Sequence, residues 1–336
     1  MCKKIVLLVV LCFLVVMSCS SPSSPNSGNQ DNNIDIGNNG DSGQTGGGSG
    51  SGGNDSGVIT PTNPTEEELL IEKYGIDIGQ DDAIISQKIK ENLKAYYEEK
   101  GSYRVIFVGT PKTYYNSKSS LSFLVYEAAK SINCYDVTID TSYINFKNGT
   151  IQSYMFARGL DLEETVTLKF IFPKNTIKII ESYAFSLLTP LKEITIPSSV
   201  EKIEEKAFQY CDALETIILE YGIKNIGASS FVISSALKTL KIPESVTSIE
   251  EKAFANCGLK ELTIPASVTS MGKQVFISSI YLTDVTYMGT SPDIIDNTDA
   301  LLYCRSLKTL RVPNAVNPSD ERWKTFLGGN FSIVTR

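Results

Sequence analysis

The sequence contains no histidine among its 336 residues. Nucleophilic catalysis by a serine or cysteine with a histidine base is therefore excluded. A zinc site is disfavoured, because histidine and Cys-x-x-Cys motifs are both missing. Paired acids, which could serve glycoside hydrolysis, occur at Glu163/Glu164, Glu204/Glu205 and Glu250/Glu251. The last two pairs recur at one repeat phase beside Lys206 and Lys252 and so indicate solvated turns, which offer no cleft. We expect no enzyme, no cofactor, no metal and no small-molecule substrate.

Long apolar runs are also scarce, and the one at residues 5–17 is too short to span a bilayer comfortably. It follows Lys3 and Lys4, so residues 1–18 are predicted to be a signal peptide. The tetrapeptide "VMSC", which ends at Cys19, resembles the relaxed lipobox of bacterial lipoproteins, and this resemblance implies cleavage before Cys19 and acylation of its thiol. The alternative is an ordinary secretory signal that is cut nearby, with Cys19 incidental. On the first interpretation the membrane is reached only through the N-terminal lipid.

Basic residues are fewer than acidic ones, and the formal net charge is −7. Removal of the signal peptide takes away two lysines and no acid, which leaves −9. An acidic surface disfavours nucleic acid and anionic headgroups as partners. Four cysteines lie in the remaining chain beyond position 19, at Cys134, Cys211, Cys257 and Cys304. Their spacing places the last three on alternate coils, roughly 10 Å apart, so we expect separate buried thiols.

Residues 19–64 combine the lipidated cysteine with a Ser/Gly/Asn-rich stretch that should form a flexible tether. Residues 65–134 read as an α/β cap. Its expected elements are a short helix from Thr65, a helix at 82–100, a strand at 103–109, a helix at 119–132 and a strand at 135–140. The buried face of the second helix is assigned to Ile85, Ile89, Leu93 and Tyr97. The alternative, a separate ligand-binding α/β domain, lacks a glycine-rich phosphate loop.

From residue 135 to 316 the sequence repeats. "LKEITIPSSVEKIEEKAF" at 191–208 returns as "LKTLKIPESVTSIEEKAF" at 237–254 and as "LKELTIPASVTSMGKQVF" at 259–276. Phe185, Phe208, Phe231, Phe254 and Phe276 stand 23, 23, 23 and 22 residues apart. This period predicts an α/β leucine-rich-repeat solenoid of about eight coils with a parallel β-sheet on one face. The inward-facing pairs are Val137/Ile139, Phe170/Phe172, Ile194/Ile196, Ile217/Leu219, Leu240/Ile242, Leu262/Ile264, Val285/Tyr287 and Leu310/Val312.

The segment "LKEITIPSSVEKIEEKAFQYCDAL" resembles the BspA-like, or treponemal-type, leucine-rich repeat of bacterial surface proteins. Residues 317–336 resemble the closing segment of that family, with a helix and a short strand at 330–334, and Trp323 as a cap residue over the last coil. The resemblance implies a cell-surface adhesin that binds host matrix proteins, host cells or other bacteria. It supplies no residue-level site.

Residues between the inward pairs should face the open surface of a concave sheet, and short polar side chains there suit protein docking, because they lose little entropy when ordered. The candidate binding residues are Lys169, Glu193, Thr195, Thr216, Ile218, Thr239, Lys241, Glu261, Thr263, Asp284, Thr286 and Arg311. Two functions are compatible with this sequence. The first is a lipoprotein of the bacterial outer membrane, displayed outward, that binds proteins. The second is a periplasm-facing structural or assembly scaffold.

Overall fold

The computed structural model describes residues 63–158 and 165–336. The predicted signal peptide, Cys19 and the tether up to residue 62 lie outside the described residues. No helix in the described ranges has the length and apolarity to cross a bilayer.

Three helices and three strands precede the repeats. They are α1 (Glu66–Tyr74), β1 (Gly75–Asp77), α2 (Asp82–Lys100), β2 (Arg104–Gly109), α3 (Leu121–Ser131) and β3 (Asp136–Ile144). Thr65 and Glu68 form a reciprocal capping box at the start of α1. Gly101, in the left-handed conformation at φ 68°, ends α2. The parallel order β1-β2-β3 confirms the predicted crossover unit.

The buried face of α2 differs from the prediction at its last position. Ile85, Ile89 and Leu93 are buried, but Tyr97 is 48% exposed and Tyr96 takes the inner position at 5%. Each four-residue step overshoots a helical turn by about 40°, so a three-residue step is needed to return to the same face. Tyr97 stacks on Tyr103 instead, with ring centroids 4.5 Å apart.

Each repeat contributes strands to two parallel ladders. The long-strand ladder continues from β3 through β5 (Thr167–Ile171), β7 (Glu193–Ile196), β9 (Thr216–Leu219), β12 (Glu261–Ile264), β14 (Asp284–Tyr287), β15 (Thr309–Arg311) and β16 (Ile333–Thr335). The coil at Leu240 joins this ladder through two isolated bridges, from Thr239 to Thr216 and from Lys241 to Thr263. The opposite side carries two-residue strands: β4 (Thr150–Ile151), β6 (Ile179–Ile180), β8 (Lys202–Ile203), β10 (Asn225–Ile226), β11 (Ser248–Ile249) and β13 (Ser270–Met271).

The core of the solenoid is a column of stacked phenylalanines. Phe185, Phe208, Phe231, Phe254 and Phe276 are fully buried. Successive ring centroids are 4.7, 5.0, 5.2 and 5.6 Å apart, with the planes within 7° of parallel. The regular period of the sequence is therefore the spacing of one continuous aromatic stack.

The four cysteines in the described residues are free and buried, as predicted for Cys211, Cys257 and Cys304. The Sγ atoms of Cys211, Cys257 and Cys304 lie 3.3, 3.5 and 3.1 Å from the carbonyl oxygens of Phe185, Phe231 and Phe276. Burial raises the pKa of Cys257 to about 12 and that of Cys304 to about 11. These thiols remain protonated and fill the core.

Only the second acid of each repeated pair lies on a solvated turn. Glu205 and Glu251 form ion pairs with Lys206 and Lys252 at 2.6 and 2.7 Å. The first acid joins neighbouring coils, because Glu250 accepts hydrogen bonds from the Ala228 backbone N–H and the Asn225 side chain, both at 3.1 Å. The interpretation of both acids as solvated turn residues was therefore wrong for Glu250.

The register at β5 also differs from the prediction. Val137 pairs with Leu168 and Ile139 with Phe170, so the residues opposite the first predicted pair are Leu168/Phe170 and not Phe170/Phe172. Phe172 also packs against the core, with its ring centroid 6.1 Å from that of Phe185. The prediction aligned the coil on Pro173, which follows its strand as in other repeats. The strand pairs two residues earlier because Leu168, which is fully buried, fills the core position. Outside this coil, every predicted inward pair is buried.

The last coil is closed by a 3-10 helix (Glu321–Gly328) and by β16. Trp323 is fully buried against Phe326 and Tyr287, at centroid distances of 5.3 and 6.1 Å. Its indole N–H donates to the Asn317 carbonyl at 2.9 Å. Trp323 is therefore a cap residue, as predicted, although the helix is kinked and β16 begins three residues later than expected.

Candidate functional site

The outward side of the long-strand ladder presents two columns of side chains, which we call the open face. Burial alternates strictly along β7, β9 and β12, so every second residue points to solvent. One column contains Glu193, Thr216, Thr239, Glu261, Asp284 and Thr309. The other contains Thr195, Ile218, Lys241, Thr263, Thr286 and Arg311. Eleven of the twelve candidate residues therefore lie in register on adjacent strands.

The twelfth candidate, Lys169, lies on β5 beside these columns. It pairs in register with Thr138, and not with Asp136 as the sequence alignment implied. Ile171 correspondingly pairs with Asp140 instead of Thr138. The two-residue slip that brings Leu168 into the core causes both changes.

The charges of the open face are only partly neutralised. Arg311 forms an ion pair with Asp284 at 3.0 Å, and Lys169 forms one with Asp136 at 3.1 Å. The pKa of Asp284 is lowered, chiefly by the hydrogen bond from Thr283 and further by Arg311. Lys241 is exposed, and within the described part of the chain it makes no ion pair. It is therefore the cation of the two columns that is available to an approaching carboxylate.

Apolar side chains interrupt this polar face at a few places. Ile218 is 52% exposed, between Thr195 and Lys241, and Ile171 is 41% exposed on β5. A branched apolar residue surrounded by threonines and single charges can bury its surface only when another molecule covers it. Such a mixture of an apolar centre and a polar rim is typical of protein–protein contacts.

The sequence prediction missed a groove between β5 and β7. Three depressions, of about 360, 200 and 300 Å³, follow each other along the strands at this junction. They are lined by Lys169, Phe170, Phe172, Glu193, Thr195 and Pro197, among others. We call this feature the junction groove. The bridged residues Leu168 and Leu191 are 23 residues apart, as in the regular coils, so the period of the sequence gives no signal of this groove.

Comparison with known families gives one match. The model of the BspA type leucine-rich repeat region matches in six copies, over residues 149–283 and 237–322, which together span just over half of the chain. Among curated proteins, no sequence matches.

Several solved structures are similar to this chain. The leucine-rich repeat protein TpLRR of T. pallidum is 25% identical over 48% of this chain and 81% of its own, with a TM-score of 0.39. A leucine-rich repeat protein from Bacteroides ovatus is 16% identical over 69% of this chain and 65% of its own, also with a TM-score of 0.39. The pneumococcal vaccine antigen PcpA is 16% identical over 69% and 73% of the two chains, with a TM-score of 0.28.

Proposed function

Because this chain belongs to the BspA-type leucine-rich-repeat family, whose repeats are typically non-enzymatic protein-interaction modules, we propose that it binds proteins through its open face while displayed on the cell surface. In this proposal it acts as an adhesin for host matrix proteins, host cell-surface proteins or other bacteria. The lipid on Cys19 anchors it to the outer membrane, and the tether carries the solenoid away from the bilayer.

One observation supports protein binding most strongly. The two columns of the open face extend in register over successive strands from β7 to β15. Threonine predominates, and its short side chain loses little rotamer entropy on binding. Ile218 and Lys241 add an exposed apolar group and an unpaired charge on adjacent coils. An extended partner surface could contact all of these positions together.

The anchor and the display are supported by the sequence. Lys3, Lys4, the apolar run and Cys19 fit a lipoprotein signal. The stretch from Ser20 to Pro64 is about 45 residues of mainly Ser, Gly, Asn, Asp and Pro, for which the root-mean-square reach is roughly 35–40 Å. That reach is greater than the thickness of the polar headgroup region and would leave the open face accessible.

Charge reversal on the open face tests the binding surface. We expect Lys241→Glu combined with Arg311→Glu to weaken binding of the mature protein to an immobilised preparation of matrix proteins at least tenfold. The first substitution removes the free cation of Lys241, and the second places a carboxylate that repels Asp284 where Arg311 paired with it. Surface plasmon resonance measures the affinity, and thermal unfolding verifies that the fold is retained.

The matched control is Lys178→Glu combined with Lys202→Glu. Lys202 lies on β8 of the short-strand ladder, and Lys178 directly precedes β6 of the same ladder. Both lysines are exposed and the charge change is the same, so this variant should bind like the wild type. Unchanged binding by the Lys241/Arg311 variant would move the binding surface off the open face.

A further inference from the structure

The long-strand ladder is nearly interrupted between β5 and β7. In the described ranges, a single bridge between Leu168 and Leu191 joins these strands, whereas β7 and β9 pair over four residues. On its other side β5 pairs with β3 over five residues, so the interruption is confined to the side of β5 that faces β7. The junction groove lies along this interruption.

The three depressions of the junction groove are continuous. Lys169, Glu193 and Thr216 line both the first and the middle one, and Phe170 and Thr195 line both the middle and the last. Each is at or below the small end of the range typical of small-molecule pockets. Their size and linear arrangement suit successive side chains of an extended peptide.

The two ends of the groove have different chemistry. At the first end Glu193 and Glu215 are exposed, and neither forms an ion pair with any described residue. Lys192 also forms no ion pair within the described residues, while Lys169 pairs with Asp136, so one negative charge is in excess at this end.

The opposite end of the groove has an apolar wall, although Lys174, Asn175, Ser198 and Glu220 also line this depression. Phe170 and Phe172 are partly buried and stack with centroids 5.7 Å apart. Pro173 and Pro197 complete this wall. An aromatic or branched aliphatic side chain inserted here would bury apolar surface against these four residues.

The distance between the acidic end and the apolar wall of the junction groove determines how far apart the matching side chains of a ligand must be. Pro197 directly follows β7 and is four residues from Glu193 at the start of that strand, which is about 13 Å of extended chain. An extended peptide presents residues i and i+4 on the same face at that distance. We propose that the junction groove binds an extended segment of a partner protein that carries a lysine or arginine four residues from an aromatic or aliphatic side chain. This assignment rests on the proposed protein-binding function, and the negative net charge of the chain favours the approach of a basic segment.

The test uses a synthetic, capped peptide, Thr-Lys-Thr-Ser-Thr-Phe-Thr, together with its reversed sequence, since both strand directions fit the groove. Fluorescence anisotropy measures the affinity for the mature protein. A second copy with benzoylphenylalanine in place of Phe maps the contact by photo-cross-linking and mass spectrometry. We expect one direction to cross-link at Phe170, Phe172 or Pro197. We also expect Glu193→Lys combined with Glu215→Lys to lower the affinity at least tenfold.

The chain offers a matched control for this variant. Glu244 and Glu261 are exposed and line none of the three depressions, so Glu244→Lys combined with Glu261→Lys, which makes the same charge change, should leave the affinity unchanged. A peptide with Glu in place of Lys should not bind. Equal losses in the two variants, scattered cross-links, or no binding of either peptide at millimolar concentration would each contradict the proposal. Binding of oligosaccharides in the groove in place of the peptides would also contradict it.

The proposal that the groove binds a peptide and the proposal that the open face binds proteins can be refuted separately. If matrix-protein binding is lost in the Lys241/Arg311 variant and retained in the Glu193/Glu215 variant, the open face binds proteins and the groove assignment is wrong. If neither variant changes it, the open face itself is excluded.

Discussion

At the scale of single residues, the aromatic column shows how the repeat stabilises itself. Phe208 lies between Phe185 and Phe231, with centroids 4.7 and 5.0 Å away, and has no solvent contact. A single coil could not bury this side chain, because one ring face is covered by each neighbouring coil. The neighbouring coils cannot close a gap at this position without also shifting their two strands.

We therefore predict that Phe208→Ala lowers the free energy of unfolding by about 3–5 kcal/mol, as expected for a large aromatic residue removed from a packed core. Urea unfolding followed by circular dichroism measures the change. Ile218→Ala, at an exposed position, should stay within about 0.5 kcal/mol of the wild type. A small effect of Phe208→Ala would mean that the column is not the core of the fold.

At the scale of elements, one arginine attaches α1 to the N-terminal sheet. Arg104 on β2 donates to Glu67 of α1 at 2.6 Å and to the buried Asp140 of β3. Tyr143 also donates to Glu67, at 2.8 Å. The hydrogen bonds from Arg104 and then Tyr143 lower the pKa of Glu67. Glu99, which bonds Lys73 and Tyr74, has a lowered pKa as well.

A lowered pKa in the folded state predicts the pH range in which α1 loosens. The carboxylate of Glu67 stabilises the attached helix above its unfolded-state pKa of about 4.3, and this contribution is lost as the pH falls through the lower folded-state value. Amide hydrogen exchange, corrected for the intrinsic chemical rate, should show that protection of α1 falls below about pH 4.3, while the repeats change less. In Glu67→Gln the protection of α1 should already be reduced at pH 7 and depend less on pH. Full protection of wild-type α1 at pH 3 would contradict this role of Glu67.

Sequence reasoning succeeded where residues recur and failed where they do not. The inward and outward positions from β7 to β15 could be predicted, because Ile-x-Ile-Pro and Ala-Phe return in phase over several coils. The slip at β5 could not, since Pro173 suggested one register and only the packing of Leu168 decides for another. The junction groove lies where β5 and β7 share a single bridge, and it was missed because no repeated residue marks that weak pairing. Glu250 was misassigned because the local sequence Glu-Glu-Lys does not show which glutamate pairs with the lysine and which one contacts the neighbouring coil.

At the scale of the whole molecule, the proposal joins three parts with separate tasks. The lipid on Cys19 would retain the protein at the membrane, the tether would provide distance, and the solenoid would provide the binding surface. The acidic net charge of −7 disfavours contact of the solenoid with anionic lipid headgroups. An adhesive role also requires that the open face be outside the cell. This requirement distinguishes the adhesin from a periplasm-facing scaffold.

Protease shaving of intact cells tests this requirement most directly. The account predicts that external protease cleaves the protein within the tether, at residues 20–64, and releases the folded repeats while a periplasmic control protein survives. Resistance of the protein until the outer membrane is disrupted would contradict outward display and favour a partner in the periplasm.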